Sequence, residues 1–181
     1  NAIGKVLTVP LPNKKTEQGL EFGNIEFKDV NFAYGKDGFE LKNINLTFKK
    51  NSLNAFVGAS GCGKSTVSNL LMGFWDADSG RIEINGKDIK DYSQENISNL
   101  IGSVGQEVIL FDLSIFDNIA IGKLNATKEE VIEAAKKARC HDFISALPNG
   151  YETRVGEMGV KLSGGEKQRI SIARMILKNA P

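Results

Sequence analysis

A glycine-rich segment at residues 58–65 constrains the fold of this 181-residue chain more than any other feature. It matches G-x-x-x-x-G-K-[ST], a loop whose backbone N–H groups surround a polyphosphate. In this pattern the lysine reaches the β- and γ-phosphates, and the hydroxyl provides one ligand to Mg²⁺. The residues of the loop and the first residue after it are Gly58, Ala59, Ser60, Gly61, Cys62, Gly63, Lys64, Ser65 and Thr66.

The segments on both sides of the loop have the type that such a loop requires. Residues 53–57 (LNAFV) are predicted to form a short buried strand. Residues 66–72 (TVSNLLM) are predicted to form a helix whose N-terminus faces the anion. Because both neighbours fit, the loop predicts binding of a nucleoside triphosphate with Mg²⁺ rather than a merely glycine-rich turn.

The composition excludes several classes of protein. The chain has 23 Lys and Arg against 22 Asp and Glu, so its net charge of +1 offers no electrostatic footprint for nucleic acid. Its two cysteines have no metal-binding spacing and suit a reducing compartment. No apolar run approaches the ~18 residues that a membrane-spanning helix needs.

The N-terminal part of the chain is predicted to contain a linker and then antiparallel strands. Residues 1–23 include Pro10 and Pro12 and show little periodicity, which is typical of a linker that follows an upstream domain. Residues 25–28 alternate as a half-buried strand does, and Val30 and Phe32 continue the pattern with a change of phase. Further on, the pair Asn85-Gly86 is a strong hairpin signal.

The second half of the chain changes to helical periodicity. Ser93 is predicted to cap a short helix, and residues 101–104 are predicted to form a further strand. From about residue 107 to 165 the chain resembles a mostly helical insertion, in which Thr127 and Glu130 form a capping box. A last helix follows the segment LSGGE at residues 162–166.

The glycine-rich loop combined with LSGGE resembles the nucleotide-binding domain of an ABC transporter, from about residue 25 to 181. Residues 114–119 and 153–159 are similar to segments of exporter-type members, whose membrane helices precede this domain in the same polypeptide. The resemblance implies an α/β fold with a P-loop NTPase-like core and a parallel sheet. It also implies an N-terminal antiparallel β subdomain and a helical insertion carrying the signature motif, within one ATP-binding domain at 24–181.

The resemblance also implies roles for individual residues. Tyr34 would stack on the adenine of ATP, and Lys64 and Gln106 would act in catalysis. Ser65 and Gln106 would hold Mg²⁺. The signature residues would contact the γ-phosphate bound to an opposite subunit, and they are Ser163, Gly164, Gly165 and Glu166.

Some of these residues have simpler interpretations. Ser163 and Glu166 form a capping box that can start a helix without any ligand. This does not conflict with ligand binding, because an exposed, capped helix N-terminus is also an anion site. The simpler interpretation of Tyr34 is a surface aromatic beside a turn. Glu166 stands where most family members have glutamine, which leaves the direction of transport open.

The family pattern continues past the signature helix with an apolar strand ending in Asp-Glu and, later, a histidine. The 181 residues end before this part of the pattern. We therefore expect a fragment of a longer protein, which binds ATP but lacks the acid that orients the attacking water.

The partners follow from the resemblance. We expect a second ABC ATP-binding domain, identical or different, and transmembrane domains in the same polypeptide, with this domain on the cytoplasmic face of a membrane. One alternative is a soluble ABC-type ATPase of DNA repair or translation, but residues 107–161 show no sustained heptads and the charge is near neutral. The other is a nucleotide-binding module that never hydrolyses ATP.

Overall fold

The computed structural model describes residues 23–35 and 38–180. The predicted linker at 1–23 therefore lies, apart from Gly23, outside the described residues. The chain divides into two units, residues 1–100 and residues 101–181. The domain limits predicted above, 24–181 with a helical part at about 107–165, stay a prediction.

An antiparallel sheet forms the framework of the first unit, and it confirms the predicted N-terminal β subdomain. Its four strands are β1 Ile25–Ala33, β2 Glu40–Phe48, β3 Ser79–Ile84 and β4 Lys87–Asp88. They follow the order β2-β1-β3-β4, and all three strand pairs are antiparallel.

The central strand β1 is irregular where the sequence pattern changes phase. Its pairing with β2 shifts register between Phe27 and Val30 and again between Val30 and Phe32. Asp29, which lies at the first of these shifts, has φ of 52°. Such a bulge adds an unpaired residue and so changes the side to which later side chains point. As a result Phe27, Val30 and Phe32 are all buried.

The turn between β3 and β4 confirms the predicted hairpin. Asn85 has φ of 53° and Gly86 has φ of 78°, as a two-residue turn with two positive φ values requires. Asparagine and glycine adopt this backbone more readily than other residues.

Two predicted strands are wrong. Residues 53–57 and 101–104 have no regular secondary structure, and Leu53 and Val57 are 100% and 95% exposed. A strand needs a hydrogen-bonded neighbour, and neither segment has one among the described residues. The parts of the chain that the structure describes contain no parallel strand pair, so the parallel sheet stays a prediction.

Helices occupy most of the second unit. The helices of the described residues are α1 Lys64–Leu71, α2 Gln94–Leu100, α3 Ile115–Ala120, α4 Lys128–Lys137, α5 His141–Ala146 and α6 Gly164–Lys178.

Ser93 Oγ accepts a hydrogen bond from Asn96 N at the start of α2. Thr127 and Glu130 form the predicted capping box of α4. Short 3₁₀ turns lie at Ile89–Asp91, Gly150–Glu152 and Glu157–Gly159.

The hydrophobic core of the second unit lies around α6, which packs against α3 and α4. The buried residues of this core are Leu110, Ile115, Ile119, Val131, Ala134, Ala135, Ala138, Cys140, Ile144, Val155, Leu162, Ile170, Ala173 and Leu177. The core residues of α4 and α6 recur at the spacing of one helix face, as in Val131, Ala134 and Ala135 or Ile170, Ala173 and Leu177. None of the described helices has the length and apolar character of a membrane span.

Candidate nucleotide-binding site

The glycines of the loop at 58–65 are required by its backbone. Gly61 and Gly63 have φ of 81° and 99°, which L-residues adopt only with strain. A Cβ on Gly63 would lie 2.6 Å from Leu41 Cδ2 and 2.8 Å from Phe39 Cζ. The loop therefore turns sharply and sits close against the beginning of β2.

The Lys64 side chain folds back over the loop. Its Nζ donates hydrogen bonds to the carbonyl oxygens of Gly58 at 2.9 Å and Ala59 at 2.8 Å. The same nitrogen lies 3.6 Å from Cys62 Sγ. The ammonium group is thus held above the loop, where the sequence motif requires a positive charge.

The first turn of α1 offers free donors next to this lysine. Gly63 is the N-cap, in a left-handed conformation and without a side-chain hydrogen bond, and no acidic residue lies in the first turn. The N–H groups at such a terminus attract an anion. Ser65 is exposed beside them. Backbone donors, one ammonium and one free hydroxyl form a donor set that fits a polyphosphate with Mg²⁺.

Tyr34 is the predicted residue that the structure brings next to the loop helix. Its hydroxyl donates to Thr66 Oγ1 at 3.4 Å. Its ring packs edge-to-face against Phe32 and Trp75, with ring centroids 4.8 Å and 5.4 Å apart. Sequence reasoning did not select Trp75. The only available signal was an aromatic pair, Phe74-Trp75, directly after the loop helix.

In the second unit, the signature residues form a complete capping box at the start of α6. Glu166 Oε2 accepts hydrogen bonds from Ser163 N at 2.8 Å and Ser163 Oγ at 2.7 Å. The hydroxyl of Ser163, and secondarily its backbone N–H, hold the pKa of Glu166 below its usual range.

The glycines that follow this cap are open. A Cβ on Gly164 would meet no atom within 4 Å. Ser163, Gly164 and Gly165 are all exposed, so neither packing nor backbone strain explains the glycine at 164. The helix is capped without any ligand, and the surface in front of it stays accessible. Both interpretations of this motif are therefore compatible.

Gln106 lies in a bend of the second unit and is exposed. The loop at 58–65 and Tyr34 belong to the first unit, whereas Gln106 and residues 162–166 belong to the second. The metal, catalytic and γ-phosphate roles of these residues stay predictions.

Asn118 and Arg174 are structurally important residues that sequence reasoning missed. Asn118 is completely buried, and its side chain bonds to both the N–H and the C=O of Phe111, each at 2.9 Å. Arg174 Nη1 donates to Ile109 O at 3.3 Å. Together these two side chains hold the backbone of residues 109–111, shortly after Gln106.

A glycine-rich loop before a helix, followed by a capped Ser-Gly-Gly-Glu helix start, defines the ATP-binding cassette class of proteins. The sequence profile of the ABC transporter family matches residues 41–181. The chain therefore belongs to the ABC transporter family, as the resemblance predicted.

Curated relatives and a solved structure agree with this assignment. The chain is 53% identical over 160 residues to YgaD of Bacillus subtilis, named as a candidate multidrug export ATP-binding/permease protein. It is 51% identical over 159 residues to y4gM of Sinorhizobium fredii, named an uncharacterized ABC transporter ATP-binding protein. These alignments cover 88% and 87% of this chain but 28% and 27% of the relatives.

The structure of a bacterial Atm1-family ABC exporter with ATP bound matches with a TM-score of 0.88 and 43% identity. The match covers 94% of this chain and 30% of that exporter chain. The chain therefore has the ABC ATPase fold.

Proposed function

We propose that this chain is the ATP-binding domain of an exporter-type ABC transporter and that the loop at 58–65 holds the phosphates of MgATP. The observation that carries the proposal is the position of Lys64, whose ammonium lies over a loop with two glycines in the left-handed region. The similarity to an exporter that was solved with ATP bound supports the same assignment.

The roles within the site follow from its donors. The Lys64 ammonium exchanges the carbonyls of Gly58 and Ala59 for oxygens of the β- and γ-phosphates. Ser65 Oγ would contribute one ligand to Mg²⁺, and the first-turn amides of α1 would hold the remaining phosphate oxygens. Tyr34 stacks on the adenine. In phosphoryl transfer such positioning and charge neutralisation supply most of the catalysis.

The second unit would act on an ATP molecule bound to another ABC ATP-binding domain, identical or different. We propose a head-to-tail dimer with a second ABC ATP-binding domain, in which residues 163–166 approach the γ-phosphate held by the partner's loop. Gln106 would hold Mg²⁺ from its own subunit and sense the transmembrane domains. The relatives named ATP-binding/permease proteins support transmembrane domains in the same polypeptide. Dimer closure on the cytoplasmic face would then drive substrate movement across the membrane.

Hydrolysis is assigned to the full-length protein. The 181 residues contain no Asp-Glu pair, the element that holds Mg²⁺ through water and orients the attacking water in this family. We propose that the 181-residue chain binds MgATP without appreciable turnover, and that the full-length protein is the ATPase.

The test is a titration of ATP into the wild-type chain and into Lys64→Ala and Ser65→Ala, each with Mg²⁺ and with EDTA. Loss of the charge-assisted hydrogen bonds of Lys64, about 1.5–3 kcal/mol, predicts at least tenfold weaker binding. Ser65→Ala is expected to bind ATP as the wild type does in EDTA, but to lose the gain in affinity that Mg²⁺ gives the wild type. Lys50→Ala and Ser68→Ala, which replace exposed residues of the same unit, serve as matched controls. Unchanged affinity in both loop variants would contradict the site.

A further inference from the structure

Three aromatic rings form a cluster beside the loop helix. Phe32 and Tyr34 lie at the end of β1, and Trp75 follows α1. The Tyr34 ring stands nearly perpendicular to both neighbours, at 86° to Phe32 and 90° to Trp75. Phe32 and Trp75 also contact each other, with ring centroids 6.0 Å apart.

The exposure of the three rings differs. Phe32 is 4% exposed and belongs to the core, whereas Tyr34 and Trp75 are 43% and 51% exposed. A half-exposed tryptophan contributes only part of its area to the core. Trp75 packs against Phe32 and Tyr34 and leaves about half of its own surface, 51%, exposed beside Tyr34.

Tyr34 is held at both ends of its side chain. Its ring packs against Phe32 and Trp75, which also contact each other. Its hydroxyl lies 3.4 Å from Oγ1 of Thr66, which is buried in the first turn of α1. A ring whose orientation is fixed before binding loses less conformational entropy when a flat ligand stacks on it. Edge-to-face pairs supply the specific geometry that fixes such a ring.

We infer that Trp75 is a positioning residue that orients Tyr34 for stacking on the base of a nucleoside triphosphate. The inference rests on the proposed function, because it assumes that phosphates occupy the loop at 58–65. Its specific content is that Trp75 contributes to recognition of the base and not of the phosphates. Inorganic tripolyphosphate, which has no base, separates these two contributions.

The fluorescence of the wild-type chain provides a first test, because Trp75 is its single tryptophan. MgATP is expected to change the emission of Trp75, since the base stacks on a ring whose centroid lies 5.4 Å away. Magnesium tripolyphosphate at saturating concentration is expected to leave the emission unchanged. An emission that does not respond to bound ATP, or that responds equally to both ligands, overturns the inference.

Calorimetric titration of two variants provides the second test. Trp75→Ala is expected to weaken ATP binding two- to tenfold, the equivalent of about 0.5–1.5 kcal/mol for one aromatic pair, and to leave tripolyphosphate binding unchanged. Trp75→Phe keeps an aromatic ring at this position and is expected to bind ATP within twofold of the wild type.

The remaining outcomes separate this inference from the proposed function. If Trp75→Ala weakens the binding of ATP and of tripolyphosphate equally, or weakens neither, the role of Trp75 is overturned while the phosphate site stands. If the wild-type chain binds neither ligand, the proposed function fails, and the role of Trp75 fails with it.

Discussion

The guanidinium of Arg174 bonds to both oxygens of Asn118. Nε donates to the backbone oxygen at 2.8 Å, and Nη2 donates to Oδ1 at 3.2 Å. The Asn118 amide also donates to Ser114 O at 3.0 Å. Arg174 belongs to α6, which begins in the signature segment, and Asn118 belongs to α3. The contact therefore connects α6 to α3 and, through the bonds of Asn118 to Phe111, to the segment that follows Gln106.

The buried amide of Asn118 predicts a large effect on stability. Asn118→Ala removes the side-chain hydrogen bonds to Phe111, Ser114 and Arg174 at a completely buried position, and each such bond contributes about 1 kcal/mol. We expect the free energy of unfolding to fall by about 2–5 kcal/mol, measured by urea denaturation followed by circular dichroism. Asn149→Ala, at an exposed asparagine of the same unit, is expected to change it by less than about 0.5 kcal/mol. Equal values for the two variants would show that the Asn118 contacts contribute nothing.

The loop glycines predict a contrast between two alanine variants. Gly61 and Gly63 both have positive φ, so alanine costs about 1–2 kcal/mol at either position. Only at Gly63 does the new Cβ meet other side chains, those of Leu41 and Phe39, and overpacking adds about 1–3 kcal/mol. Urea unfolding should therefore show Gly63→Ala to be the less stable of the two. The opposite order would mean that the loop moves away from β2 at little cost.

The capping box of α6 predicts a pH dependence. Ser163 lowers the pKa of Glu166 in the folded state, so the carboxylate stabilises the fold above its unfolded pKa of about 4.3. This contribution is lost as the pH falls from that value through the lower folded pKa.

The pKa itself can be measured by NMR titration of the Glu166 carboxyl group. Ser163→Ala removes the main cause of the shift and is expected to raise the pKa of Glu166 toward its ordinary value. Glu130 belongs to the other capping box, and the largest cause of its lowered pKa is the hydrogen bond from Lys123. The pKa of Glu130 should therefore be the same in wild type and Ser163→Ala. A Glu166 pKa that is the same in wild type and variant would refute this account.

The two cysteines predict a difference in reactivity. Cys62 is exposed in the loop, whereas Cys140 is buried, and burial raises the pKa of the Cys140 thiol to about 11. At pH 8 only about one Cys140 in a thousand is therefore a thiolate, the reactive form. Iodoacetamide should modify Cys62 first, and MgATP should slow this reaction, as followed by peptide mass spectrometry. Equal labelling of Cys140 in the native protein would show that the core of the second unit opens readily.

Much of the fold was predictable where the signal is local. The bulge in β1, the Asn85-Gly86 hairpin and both capping boxes depend on residues within a few positions of one another. The strands predicted at 53–57 and 101–104 failed because a strand exists only with a paired neighbour. Hydrophobic runs in the sequence carry no information on whether such a neighbour is present.

The candidate site shows the same division. The loop at 58–65 was predictable because its glycines, lysine and serine follow a fixed spacing. Trp75 could not be assigned, because its contact with Tyr34 crosses from the end of β1 to the segment after α1. The link from Arg174 to Asn118 spans 56 positions, and neither residue type signals a partner at that distance. Contacts of this kind become visible only when the chain is folded.

The carbonyl oxygens of Gly58 and Ala59 accept hydrogen bonds from Lys64 Nζ. They would therefore compete with phosphate oxygens for the same ammonium group. A triphosphate bound as proposed would not meet a bare ammonium group, because these two carbonyl oxygens already accept its hydrogen bonds. Its affinity would then reflect the difference between two sets of hydrogen bonds on one nitrogen. The gain in affinity from Lys64 would therefore depend on how many of its two carbonyl partners the bound phosphates replace.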